Sequence, residues 1–315
     1  MWLNILFLSA GLVILIYGAN FLVDGGAALA HRLKVSSIII GLTVVAFGTS
    51  TPELVVNIVS SAQGSSALAL GNVLGSNIFN LLAIIGITAL ITPLGVKKTT
   101  TWVEIPLAVS AAILILLLAN GEPAGTITRV EGICLLAFFV LFLTYTLVLA
   151  KYGTVNEQED FTIKNYSTAK SVLFILLGLA GLTGGGRLLV TGAVNIAQSM
   201  GITERIIGLT VVSIGTSLPE LATSIVAARK KNADIAIGNV VGSNLFNTFL
   251  ILGTSATITP LQATTESNVD LLVNALASLL LFLFIFTGKG RKINRWEGAI
   301  FVCLYTLYLF FILIH

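Results

Sequence analysis

Ten stretches of this chain are apolar over close to the length needed to cross a bilayer as a helix, roughly 20 residues. They run at about 3–28, 37–61, 67–91, 102–119, 130–150, 171–197, 206–228, 234–258, 270–287 and 296–314. In hydrocarbon the backbone must satisfy its own hydrogen bonds, so each run is predicted to be a transmembrane helix. Charge agrees: 10% of residues are charged, against about a quarter in a soluble domain, and mean hydropathy is +1.00. The first run opens Met1-Trp2-Leu3-Asn4, without the basic stretch of a secretory signal, and is retained as a helix. Cys134 and Cys303 both fall inside apolar runs, which points to buried, inert thiols rather than a disulfide framework or metal cluster.

The chain also repeats itself. Residues 39–93 align without a gap to 206–260, and 30 of the 55 positions are identical. Shared hydrophobicity alone would not produce that. An alternating count of the connections places 14 of the 17 Lys and Arg residues on one side, which the positive-inside rule assigns to the cytoplasm, with both termini outside. Equivalent loops then face opposite ways. Gln63-Gly64-Ser65-Ser66 carries no basic residue where its counterpart carries Arg229-Lys230-Lys231, while Lys97-Lys98 correspond to a stretch, 259–268, with none. Five spans per copy is an odd number, so the copies are inverted, an arrangement common among secondary transporters. The expected fold is an all-α membrane protein of ten transmembrane helices in two inverted five-helix repeats. Residues 1–150 would form the first and 171–315 the second, joined by a cytoplasmic linker at 151–170. That linker holds Glu157, Glu159 and Asp160 and reads as a polar tether. The formal charge of +3 reflects these orientation signals and implies no nucleic-acid partner.

Each copy buries a carboxylate in an apolar run: Gly48-Thr49-Ser50-Thr51-Pro52-Glu53 returns as Gly215-Thr216-Ser217-Leu218-Pro219-Glu220. A charge at membrane depth costs about 3 kcal/mol, so something must compensate it, and a bound cation is the simplest candidate. Pro52 and Pro219 lack the amide hydrogen and should break the helix, freeing carbonyls around Ala46 and Ser213. Helical spacing puts Thr49 and Glu53 on one stripe with Ser50 beside them. In the partner run, Asn72, Ser76 and Asn80 recur every fourth residue, as do Asn239, Ser243 and Asn247. Gly71 and Gly75, like Gly238 and Gly242, have the small-xxx-small spacing that lets helices approach closely. Carboxylates, hydroxyls, amide oxygens and carbonyls without histidine or thiolate suit hard cations such as calcium and sodium. Two negative charges neutralise one calcium or two sodium ions, so exchanging three sodium ions for one calcium would be electrogenic. Asn72 and Asn239 read as fasteners between helices. Glu104, Asp270 and Glu297 read as interfacial, and Asp24, His31 and His315 as helix-end residues.

The Gly-Thr-Ser-x-Pro-Glu and Gly-Asn-x-x-Gly-Ser-Asn-x-x-Asn blocks resemble the α-repeats of the sodium/calcium exchanger family, within the cation/calcium antiporter superfamily. The resemblance spans the whole membrane domain. It implies a cell-membrane antiporter, not an enzyme and with no cofactor beyond the transported ions, in which helices two, three, seven and eight enclose the ions while helices one and six slide. By position, it implies Glu53 and Glu220 as shared calcium and sodium ligands. Thr49, Ser50, Thr216, Ser217, Ser76 and Ser243 would supply sodium-site oxygens, helped by the Ala46 and Ser213 carbonyls. Asn80 and Asn247 would belong to the same set, and Asn77 and Asn244 would line the cavity or stand just behind the ligands. Several family members carry an acid where this chain has Asn247, and the potassium-dependent branch is associated with that acid; a potassium requirement is therefore not expected. The Gly-Asn-Ala-x-Glu setting of calcium/proton exchangers is absent, and calcium/proton antiport stands as the alternative. The expected partners are calcium, sodium and the lipid bilayer, with the protein a monomer in the inner membrane.

Overall fold

The computed structural model describes residues 2–121, 125–152, 164–201, 213–263, 265–288 and 290–314. The centre of the linker, with Glu157, Glu159 and Asp160, and residues 206–212 at the start of the second repeat lie outside the described residues. The protein is an all-helical membrane protein. In chain order its helices are α1 (Trp2–Leu33), α2 (Ser37–Thr49), α3 (Thr51–Ala62), α4 (Ser66–Ile91), α5 (Thr100–Ala119), α6 (Arg129–Tyr152), α7 (Thr168–Ser199), the short α8 (Ser213–Thr216), α9 (Leu218–Arg229), α10 (Ala233–Ile258), α11 (Thr265–Phe284) and α12 (Arg295–Ile314). Among the described residues, eight of these are long and apolar enough to cross a membrane, or nine when α2 and α3 are counted as one bent span.

Two-residue strand pairs, which the apolar pattern does not foresee, fasten the copies together. β1 (Leu94–Gly95) pairs antiparallel with β4 (Lys292–Ile293), and β2 (Thr126–Ile127) with β3 (Leu261–Gln262). Shifting β1 by 167 positions gives β3, and shifting β2 by 166 gives β4, so the internal symmetry exchanges the two pairs to within one residue. One span, α5, separates β1 from β2, which puts the pairs at opposite ends of the bundle.

The connections carry the same inversion in their backbone. Gly64 (φ 76°) and Lys231 (φ 59°) are equivalent, as are Gly201 (φ 77°) and Lys34 (φ 54°). The left-handed conformation suits glycine and strains a residue with a Cβ by about 1–2 kcal/mol. In each pair the copy on the basic side carries lysine where the other carries glycine.

Helices α1 and α7 run backbone to backbone. A Cβ on Gly18 would lie 2.7 Å from the Leu182 amide nitrogen, and one on Gly185 the same distance from that of Leu15. On the basic side this pair is tied to the rest by Asp24, which meets Lys230 at 2.7 Å and Lys164 at 2.8 Å, while Arg32 Nε donates to the Tyr166 carbonyl at 2.7 Å. Lys97 pairs with Asp234 across α10.

Three assignments differ from the reading above. Cys134 and Cys303 are exposed on the outside of the bundle, because an apolar run says a residue is in the membrane but not which way it faces. Glu104 and Glu297 are buried, not interfacial. Glu104 accepts from the Tyr145 hydroxyl at 2.6 Å, and Glu297 from the Asn294 amide at 2.9 Å and the Thr287 hydroxyl at 2.7 Å.

Candidate functional site

The site begins where two helices fail. Between α2 and α3 the chain bends by 46° at Ser50 (φ −82°, ψ 5°), and the equivalent Ser217 between α8 and α9 has φ −91°, ψ 8°. Pro52 and Pro219 each fall in the first turn of the new helix, where a missing N–H costs nothing and the fixed φ fits. Glu53 and Glu220 occupy the same first turns, so each carboxylate sits at the positive end of a helix dipole. Both are about 1% exposed.

The expectation of freed carbonyls holds unequally. The Ala46 carbonyl is not released, since it accepts from the Ser50 amide at 2.9 Å and from Thr49 Oγ1 at 3.3 Å. In the second copy the Ser217 amide turns instead to the Ile214 carbonyl at 3.1 Å, a tighter turn that withdraws this donor from Ser213. Proline at the second helical position removes a donor further along the chain than Ala46, which is why the first break keeps this bond.

The two copies hold each other's acids. Ser50 Oγ donates to Glu220 Oε1 at 3.1 Å, and Ser217 Oγ donates to Glu53 Oε1 at 3.0 Å. Thr49 lies beside Glu220 and Thr216 beside Glu53, and the two carboxylates are close enough to interact electrostatically. The second carboxylate oxygen of each, Oε2, is buried with no hydrogen-bond partner among the described residues.

On the neighbouring spans, α4 and α10 each contain one π-helical turn, Phe79–Ile84 and Phe246–Ile251, at equivalent positions. Such turns mark functional sites often enough to be informative. Asn80 and Asn247 are the second residues of these turns, one helical turn beyond Ser76 and Ser243. Ser76 Oγ, Ser243 Oγ, Asn80 Oδ1 and Asn247 Oδ1 are buried and unpartnered. With the two Oε2 atoms they make three repeat-related pairs of buried oxygens that the described residues leave unpartnered, with Ser243 standing beside Glu220. Leaving such atoms unsatisfied costs about 1–3 kcal/mol apiece, a cost that a cation between them would offset.

Close approach of α10 to α2 makes this possible. A Cβ on Gly238 would lie 2.9 Å from the Ile38 carbonyl, and one on Gly242 2.8 Å from that of Leu42. Asn239 fastens the junction: it donates to the Glu220 carbonyl at 3.1 Å and Ser224 Oγ at 3.0 Å, and accepts from Thr49 Oγ1 at 3.0 Å. Its counterpart Asn72 donates to Asn57 Oδ1 at 2.6 Å. Asn57 in turn reaches the Ala69 carbonyl and Ser255 Oγ. Asn57 and Ser224 were missed in the sequence, although each stands one turn beyond a buried glutamate in an otherwise apolar helix.

The chain matches the family described as "Sodium/calcium exchanger protein" over residues 3–148 and 170–314. It is 32% identical to the sodium/calcium exchanger MaX1 of Methanosarcina acetivorans, covering 97% of each chain. It is 36% identical to the inner membrane protein YrbG of Escherichia coli, covering 87% of each. A solved structure of the sodium-calcium exchanger NCX_Mj, soaked with sodium and strontium, superposes with a TM-score of 0.85 at 32% identity, with 97% of each chain covered. With two family matches, one on each copy of the repeat, and a solved relative superposing along nearly its whole length, this chain belongs to the sodium/calcium exchanger family.

Proposed function

We propose that the protein exchanges sodium for calcium across the membrane by alternating access. The observation that supports this best is the set of six unpartnered buried oxygens around Glu53 and Glu220, arranged in repeat-related pairs. Carboxylate, hydroxyl and amide oxygens without imidazole or thiolate match the preferences of calcium and sodium. Calcium would take both carboxylates, and sodium ions would share them with hydroxyls. The ligand set is Glu53, Glu220, Thr49, Thr216, Ser50, Ser217, Ser76, Ser243, Asn80 and Asn247, with the carbonyl of Ser213; that of Ala46 is engaged by Ser50 and Thr49. Because Asn80 and Asn247 are both neutral, the site carries only two formal charges, and a potassium requirement is not expected.

Two charges also make the counting favour electrogenic exchange. A third sodium ion exceeds what the carboxylates neutralise, so a three-for-one exchange moves net charge. The bias of Lys and Arg toward one set of loops supports a cytoplasmic 151–170 with both termini outside, in a cell membrane.

Purified protein in proteoliposomes loaded with sodium should accumulate radioactive calcium when external sodium is removed. Uptake that follows an imposed pH gradient and ignores sodium would replace this reading with calcium/proton antiport. Gradient-independent flux at channel rates would exclude antiport altogether.

A further inference from the structure

Asn80 and Asn247 can serve a cation only if their oxygens, not their amide nitrogens, face it, since the amide end is a pure donor. Something must hold them that way round. Asn247 Nδ2 donates to Asn77 Oδ1 at 3.0 Å, and Asn80 Nδ2 donates to Asn244 Oδ1 at 3.0 Å. Asn77 is itself fixed, donating its Nδ2 to Thr248 Oγ1 at 3.2 Å, and Asn244 donates to the Asn77 main-chain carbonyl at 3.4 Å. All four asparagines are buried.

The network has a direction. Thr248 sets the Asn77 side chain, and Asn77 sets Asn247. The Asn77 main chain sets Asn244, and Asn244 sets Asn80. Every amide nitrogen is directed at another residue of the network, while Asn80 Oδ1 and Asn247 Oδ1 stay unpartnered.

From this geometry we infer that Asn77 and Asn244 are positioning residues that turn the carbonyl oxygens of Asn247 and Asn80, respectively, into the ion cavity. The inference rests on the exchanger reading and sharpens it: Asn77 and Asn244 act through their neighbours and do not ligate the ion. An aspartate in place of Asn80 or Asn247 has two equivalent oxygens and needs no such orientation. In the chain as it stands, two neutral ligands are kept competent by two further asparagines.

The test is a cycle of substitutions on the full-length protein in detergent, with calcium binding followed by titration calorimetry in sodium-free buffer. Asn77→Ala should weaken calcium binding by roughly tenfold, the worth of one to two hydrogen bonds. In an Asn247→Asp background the same Asn77→Ala change should cost less than about threefold. Asn244→Ala should behave likewise with Asn80→Asp, and the pairs should not interchange: Asn80→Asp should not relieve Asn77→Ala. A merely structural role would give the same loss in every background, with a matching fall in Tm, and would overturn the inference. So would unchanged affinity in Asn77→Ala. Failure of the wild-type protein to bind calcium at all would overturn the exchanger reading beneath it, so the two failures are told apart.

Discussion

Ser217 donates its hydroxyl to Glu53 at 3.0 Å, although the two residues come from different copies of the repeat. With the reverse bond from Ser50 to Glu220, this makes each half of the protein incomplete without the other. At the helix breaks, the serine that donates to each carboxylate comes from the other copy. The site is therefore a product of the pairing of halves.

Glu53→Gln and Glu220→Gln should each abolish sodium-driven calcium uptake. Losing a charged ligand worth about 3 kcal/mol corresponds to more than a hundredfold in calcium affinity. The fold should survive, since the change removes one of two like charges buried at mid-bilayer. A calcium flux assay beside a size-exclusion profile checks both, and retained flux in either variant would refute the ligand assignment.

Ser50→Ala and Ser217→Ala each delete a hydroxyl that donates to a buried carboxylate, an interaction worth about 1.5–3 kcal/mol. The expected loss of calcium affinity is tenfold or more and similar for the two. A large effect from one serine and none from the other would show that the copies do not contribute equivalently.

Equivalent glycines should respond in opposite ways. Gly238→Ala pushes a methyl to 2.9 Å from the Ile38 carbonyl and should lower stability by about 1–3 kcal/mol. At Gly71 a Cβ meets nothing within 4 Å among the described residues, so Gly71→Ala should be neutral or stabilising through better helix propensity. Thermal unfolding in detergent, followed by a fluorescent thiol or tryptophan signal, distinguishes them.

Lys34→Gly and Lys231→Gly should relieve the strain of a left-handed lysine and raise Tm by a few degrees. The same changes subtract from the orientation signal. Cysteine-accessibility mapping of the loops should reveal whether insertion becomes mixed, and an unchanged or lower Tm would show that the strain is offset by contacts of the lysine side chains.

Much of this was legible in the residues, for identifiable reasons. Helix positions follow from apolar length, and the breaks follow from Pro52 and Pro219, because proline's constraint is local. The fastening role of Asn72 and Asn239 followed from four-residue spacing. What the sequence withheld depends on facing. It could not show that Cys134 points outward or that Glu104 is sealed under Tyr145, since a run apolar on nearly all sides has no periodicity to reveal its inner face. Nor could it show that Ser50 serves the opposite glutamate. Local spacing places Ser50 near Glu53; only the crossing of α2 with the second repeat brings it to Glu220.

The direct backbone contact of α1 with α7 carries a mechanical consequence. The backbones touch at Gly18 and Gly181, and Phe21 against Phe174 and Asn4 against Asn195 join the same pair, so the two helices pack as one plank. On its inner edge the plank bears against Gly48 through Leu179 and against Gly215 through Val190, the residues just before Thr49 and Thr216. A displacement of α7 would therefore be felt at both helix breaks at once.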